Sequence, residues 1–229
     1  MQLDADQFKD IDIECEIFQR PERILAWGGS YSGKSHMIYN LILRHHKKFK
    51  KIILCGAKSP LLTHPETRSK TIFYEDEEHP IYDPWASPDD LPSDSRQTLL
   101  ILDDMMEYAF SSAIVSRLFS RGRHINYSVI VVFQSYHPQG SSKSLVPMLK
   151  NNSSIQIFFK LRNRGEMRLI SRKVEHHKFG QNFFDAIVER EIYQKRFGYL
   201  VLYNDDPIAK YRNNLIYEDN LPYETVFMK

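Results

Sequence analysis

The chain has no apolar run approaching the roughly 20 residues that a membrane-spanning helix needs. Its opening, MQLDADQFKDIDIE, is acidic and polar where a secretory signal carries an apolar core. Direct membrane insertion and secretion are therefore not expected, and an intracellular location is. Cysteine is scarce: Cys15 and Cys55 are the two present, and both lie in apolar stretches, so buried free thiols in a reducing compartment are expected. Nine histidines do not make a metal centre, because His45-His46 and His176-His177 are adjacent pairs whose side chains point apart, and no zinc is assigned. A net charge of +2 says little about partners. There is no internal repeat and no low-complexity linker.

What is present suits one domain spanning 1–229: 229 residues, 42% hydrophobic and 26% charged, are enough for a substantial core. Glycine is rare as well, nine in all, yet three fall within Gly28–Ser35, which reads Gly-Gly-Ser-Tyr-Ser-Gly-Lys-Ser. This matches GxxxxGK[ST] at every position. A loop that wraps a polyanion needs successive backbone N–H groups turned inward and the positive end of a helix behind them. Gly28 and Gly33 supply the backbone freedom, Gly29, Ser30, Tyr31 and Ser32 complete the loop, Lys34 brings a point charge to the β- and γ-phosphates, and Ser35 offers a hydroxyl to Mg²⁺. The alternative is an ordinary Gly/Ser turn, and the flanks argue against it. Ile24–Trp27 is a continuous apolar run of the kind found in buried parallel strands. Lys34, Met37, Ile38, Leu41, Ile42 and His45 follow at helical spacing.

The rest of the chain reads as further strands and helices. Residues 11–18 alternate apolar and polar, as a half-exposed strand would. Ile52–Gly56 is a second short buried strand and, with the first strand and its helix, makes a βαβ unit. Residues 57–97 form an irregular, acidic, Pro-rich excursion, with a short strand at 71–74 and a short helix near Ser87-Pro88. Tyr108–Ser120 has helical spacing and Gly122 is placed to end that helix. Val129–Phe133 is a strand, Val146–Lys150 a helical turn, Ile155–Leu161 a strand, Arg164–Lys173 a basic helix and Phe179–Glu191 another helix. Residues 192–217 hold terminal strands, with 199–203 and 208–217 as an antiparallel hairpin.

A second stretch carries chemistry. Leu99–Leu102 ends in Asp103-Asp104, which places two carboxylates at the tip of a buried strand, where ligands bind in open α/β sheets. Asp103 is suited to hold Mg²⁺, usually through water, and Asp104 to orient or deprotonate an attacking water; a plain strand-ending turn is the alternative. Gln134, at the tip of the 129–133 strand, is suited to sense the γ-phosphate or to cap the strand. Arg117, Arg121 and Arg123 cluster at a helix end, either as a complement to its dipole or as a source of arginine fingers reaching a neighbouring subunit.

Charge is segregated. Six Lys/Arg and no acid lie between Arg44 and Lys58, eight acids and no Lys/Arg between Glu75 and Asp94, and eight Lys/Arg against Glu166 alone between Lys143 and Lys173. Such blocks are ordinarily solvated faces, but together they can form one basic surface.

The ordered set of motifs resembles the genome-packaging ATPases of the FtsK-HerA superfamily found in poxviruses, other large DNA viruses, virophages and related transposon-like elements. Its carriers are Gly28–Ser35, Leu99–Asp104, Arg121-Gly-Arg-His124 through Gln134, Pro147–Asn152, Gly198–Tyr203 and Tyr211–Asn214. The resemblance covers most of the chain. It implies a RecA-like P-loop NTPase, with a central, mostly parallel sheet flanked by helices and a C-terminal antiparallel hairpin. It also implies ATP and Mg²⁺ as cofactors, a homo-oligomeric ring at a capsid vertex and translocation of double-stranded DNA. Carried over, Lys34 and Ser35 bind phosphate and Mg²⁺, Asp103 holds the metal, Asp104 is the catalytic carboxylate and Gln134 the sensor. Where relatives often carry an arginine before an Asn pair, this chain has Lys150, which shifts the expected trans finger to Arg121 or Arg123. Lys143, Lys150, Arg162, Arg164, Arg168 and Arg172 are the candidates for facing DNA. A P-loop kinase and a non-catalytic ATP-binding assembly factor remain the alternatives.

Overall fold

The computed structural model describes residues 17–74, 96–136, 146–174, 188–204 and 210–212. The strands are β1 (Arg23–Trp27), β2 (Phe49–Gly56), β3 (Thr71–Tyr74), β4 (Gln97–Asp103), β5 (Tyr127–Phe133), β6 (Ile155–Phe159), β7 (Tyr199–Tyr203) and β8 (Lys210–Arg212). They form one sheet in the order β3-β2-β4-β5-β1-β6-β7-β8. The first six are parallel to their neighbours, while β7 runs antiparallel to β6 and β8 antiparallel to β7. The helices are α1 (Lys34–Arg44), α2 (Met106–Ser111), α3 (Ala113–Arg121), α4 (Val146–Asn152) and α5 (Arg164–Val174).

The central strands are apolar along their whole length because both faces of the sheet are covered. On one face Ile24, Ala26, Leu54, Ile101, Val132 and Ile157 pack with Met37, Ile38, Leu41 and Ile42 of α1. On the other, Leu25, Trp27, Leu100, Leu102, Val131 and Phe158 pack with Val115, Leu118 and Phe119 of α3, Leu149 of α4 and Met167 and Ile170 of α5. Every residue of β1, β4 and β6 is buried. At the edge where the parallel strands begin, Gln97 donates to the Phe18 carbonyl and Ser128 donates to Gln97, while the Glu22 N–H donates to Ser128. These bonds lock the starts of β1, β4 and β5 and leave the opposite edge for the site.

Several expectations need correction. Ile17 and Phe18 lie in a turn, not a strand, and both are buried, with Phe18 packed edge-on against Phe49 at 4.8 Å. The helix read as Tyr108–Ser120 is two helices. Ser112 breaks it, because its hydroxyl accepts the Val115 N–H and so caps a new helix start. Gly122 does end α3, as its C-cap at φ −55°; the chain then continues as a 3₁₀ turn, Gly122–Ile125, and Asn126, at φ 58°, makes the left-handed stop. The strand β1 and its sequence successor β2 are separated in the sheet by β5 and β4. The irregular excursion ends before Gln97, which opens β4. Residues 11–16, the Ser87-Pro88 helix and 179–187 lie outside the described residues. Glu189–Tyr193, where the last of these helices was expected to finish, is one π-helical turn.

Candidate functional site

The sheet register assembles the site. Trp27 is level with Phe133 on one side and with Phe158 on the other, and Val132 is level with Asp103. The residues that follow these ends therefore meet at one edge: Gly28 after β1, Gln134 after β5, Asp104 after β4 and Lys160 after β6. The loop is tethered from both flanks, since Gly28 N–H donates to the Phe133 carbonyl at 3.1 Å and Gly29 N–H to the Lys160 carbonyl at 2.9 Å.

Glycine at two loop positions is a steric requirement. A Cβ on Gly28 would stand 2.6 Å from the Phe159 Cβ, and Gly33 has φ 94°, in the left-handed region that other residues rarely occupy. Gly33 is also the residue before α1, whose start has no side-chain cap and no acidic residue in its first turn. Unpaired N–H groups at a helix start suit an anion. The buried Ser32 hydroxyl adds a donor with no protein partner. Tyr31 stands out at 99% exposure with φ 61°.

Lys34 is buried and its ammonium donates to the Gly28 and Gly29 carbonyls, both at 2.8 Å. Burial lowers its pKa, while Asp104 and then Asp103 favour the charged form. Ser35 donates to Asp103 Oδ2 at 2.8 Å, which ties the start of α1 to the tip of β4. Burial raises the Asp103 pKa, and the Ser35 hydrogen bond opposes this. Asp104 is exposed at φ 59°, a left-handed conformation that Asp tolerates better than most residues. Behind this tip, Gly56 at φ 103° leaves no room for a side chain: its Cβ would fall 2.0 Å from the Asp103 carbonyl oxygen. Ser35 and Asp103 are hard oxygen donors, the chemistry that Mg²⁺ takes from one or two protein groups with phosphates completing its shell. The uncapped helix start, the orphaned Ser32 hydroxyl and this oxygen pair fit a Mg²⁺–nucleoside triphosphate.

Gln134 is exposed beside the loop, its Oε1 3.5 Å from the Ser30 hydroxyl that donates to it. The two residues after it are held from α5: the Ser135 hydroxyl donates to Glu166 at 2.8 Å and the Tyr136 N–H to the same carboxylate at 3.4 Å. Lys150, expected to face DNA, does not. It is buried under this segment, its ammonium donating to the Tyr136 carbonyl at 2.9 Å and lying 3.2 Å from the Tyr136 ring centroid and 5.0 Å from that of Trp27. An enclosed ammonium satisfied by a carbonyl and two rings has no access to a phosphate backbone.

Arg162, Arg164 and Arg168 are exposed. Arg162 flanks the loop, with its Cγ 3.3 Å from where a Gly29 Cβ would lie. Arg164 pairs with Glu189 at 3.7 Å and covers the Tyr193 ring at 4.7 Å. Arg172 lies on α5, and Lys143 is outside the described residues. Arg121 and Arg123 are exposed at the start of β5, the opposite end of the sheet from Gly28–Ser35, so this chain's own site does not contain them.

Sequence reading missed Ser32 as an orphaned donor, Glu166 as the clamp on Ser135-Tyr136, and Phe197, whose ring lies against Gly33. Phe197 has a faint signal, an aromatic residue in the polar run Gln-Lys-Arg-Phe-Gly with no periodic partner. Glu166 has one too, as the lone acid in a basic stretch.

A family model described as poxvirus A32 protein matches residues 87–161. The chain resembles the viral genome-packaging ATPases. The matched segment carries Asp103, Asp104, Arg121, Arg123 and Gln134, while the phosphate loop precedes it. Among solved structures, the genome-packaging NTPase B204 of Sulfolobus turreted icosahedral virus 2 in complex with ATPγS is similar at 16% identity and a TM-score of 0.54, covering 83% of this chain and 96% of B204. The cytoplasmic domain of the Thermomonospora curvata type VII secretion ATPase EccC is similar at 11% identity and 0.52, covering 90% of this chain and 27% of EccC. The pCW3 conjugation coupling protein TcpA with ATPγS is similar at 10% identity and 0.50, covering 90% and 67%. At these identities the likeness is one of fold, that of P-loop ATPases. No curated protein sequence gives a significant match. No described helix is long and apolar enough to cross a membrane.

Proposed function

We propose that this chain is an ATP-hydrolysing motor that moves double-stranded DNA into a viral capsid, working inside the host cell as a homo-oligomeric ring docked on capsid vertex proteins. The carrying observation is the Ser35–Asp103 hydrogen bond, with Gln134 directly after β5, the strand between β1 and β4. That strand order sets a phosphate loop, a carboxylate pair and an amide around one point. Lys34 and the start of α1 hold the polyphosphate. Ser35 and Asp103 would hold Mg²⁺, which when bound draws charge from the β- and γ-oxygens. Asp104 orients and takes a proton from the attacking water, and Gln134 reads whether the γ-phosphate is present.

Asp104 is exposed and Arg121 and Arg123 precede β5 at the other end of the sheet, which is compatible with a site that the next subunit completes. In this reading a neighbour's Arg121 or Arg123 supports the transferring phosphoryl group. Arg162, Arg164, Arg168, Arg172 and Lys143 supply sequence-independent contacts to the DNA backbone, as a motor that must move any sequence requires.

Phosphate release from ATP tests the catalytic part. Lys34→Ala should lower the rate by about 10²-fold or more, and an unchanged rate would sink the assignment. Transfer of phosphate to an acceptor other than water would indicate a kinase. ATP binding without turnover would indicate an assembly factor.

A further inference from the structure

The loop has two sides. Toward β5 and β4 lie Gln134, Asp103 and Asp104, the groups suited to the charged end of a nucleotide. On the other side of β1 come β6 and then β7. Tyr199, the first residue of β7, pairs with Phe159, the last of β6, so the segment leading into β7 arrives at the same edge as the phosphate loop.

Phe197 lies in that segment. Its ring atoms stand 3.1–3.3 Å from where a Gly33 Cβ would be, so the ring rests against the last glycine of the loop. It is 54% exposed, unusual for phenylalanine in a chain whose other described phenylalanines in the strands are mostly buried. Its backbone is left-handed at φ 61°, a conformation disfavoured for a residue with a Cβ. The Arg196 guanidinium lies 5.1 Å from the ring centroid. A ring with a guanidinium beside it is the kind of surface on which nucleobases stack.

The geometry points to Phe197, with Arg196, as the platform for the nucleobase of the bound triphosphate. This rests on the phosphate-loop reading of Gly28–Ser35. If the carboxylates and Gln134 fix the γ-phosphate on the β4–β5 side, the nucleoside emerges on the β6–β7 side, where Phe197 meets the loop. Stacking uses the π-face that every base has, so the platform selects nucleotides over bare polyphosphate and discriminates weakly among bases.

The test compares Mg²⁺–ATP with Mg²⁺–tripolyphosphate, which has the phosphates and no base, by calorimetric titration of the full chain. Phe197→Ala should raise the ATP dissociation constant about tenfold and leave that of tripolyphosphate unchanged, while Phe197→Tyr retains wild-type affinity for both. Unchanged ATP affinity in Phe197→Ala overturns the assignment, including the case where the variant alters only the oligomeric state and Phe197 serves a subunit contact. A parallel loss of both ligands in Phe197→Ala and Phe197→Leu also overturns it, because the ring would then be supporting the loop. If wild type and Lys34→Ala alike bind neither ligand, the phosphate-loop reading itself fails and the platform falls with it.

Discussion

Gly56 shows how much a single residue governs this site. It is far in sequence from Asp103, yet its missing side chain is what lets the Asp103 carbonyl pass at the end of β4. Gly56→Ala adds a left-handed conformational cost to a backbone clash, and should destabilise the protein by at least about 2 kcal/mol, seen as a lower denaturant midpoint. Nothing in the sequence marks this glycine, because its partner is across a sheet register that the sequence does not display. Gly28–Ser35 is the opposite case: the residue types and order that a phosphate-wrapping loop requires follow from the ligand's chemistry, so the motif was readable without neighbours. Cys55 was also legible as a buried thiol, since it sits in an apolar strand. Burial raises its pKa to about 12, so at pH 8 the native protein should resist alkylation at Cys55, located by mass spectrometry, and denatured protein should react readily. Fast native labelling there would contradict the packing described.

Among elements, α4 and α5 do work that their sequences hide. Both converge on Ser135-Tyr136, immediately after the proposed sensor: α5 through Glu166 and α4 through Lys150. A lysine in a basic stretch reads as surface charge, and only the surrounding Trp27 and Tyr136 rings reveal it as buried. Lys150→Ala should therefore cost about 2–4 kcal/mol of stability, measured by chemical denaturation, with DNA affinity at fixed salt unchanged in the folded fraction. A stable variant with weakened DNA binding would return Lys150 to the surface. The strands were legible because burial on both faces makes them continuous apolar runs. The break at Ser112 was not, because a helical spacing continues across it while the hydroxyl cap interrupts the backbone. The order of strands in the sheet was likewise invisible, since each strand carries the same apolar signal wherever it is placed.

At the scale of the whole molecule, Lys34 and the pair Arg121 and Arg123 lie at opposite ends of one sheet. If sites are shared around a ring, Lys34→Ala protein retains the arginines and the Arg121→Ala/Arg123→Ala double variant retains the loop. Mixing the two inactive proteins should restore part of the ATP turnover, and no recovery in mixed oligomers would argue against these arginines acting in trans. The most direct measurement of the central claim is ATP turnover by wild-type protein with and without double-stranded DNA at low salt. The motor reading predicts stimulation by DNA of any sequence, declining as salt rises and absent in Lys34→Ala. A turnover rate indifferent to DNA would contradict it.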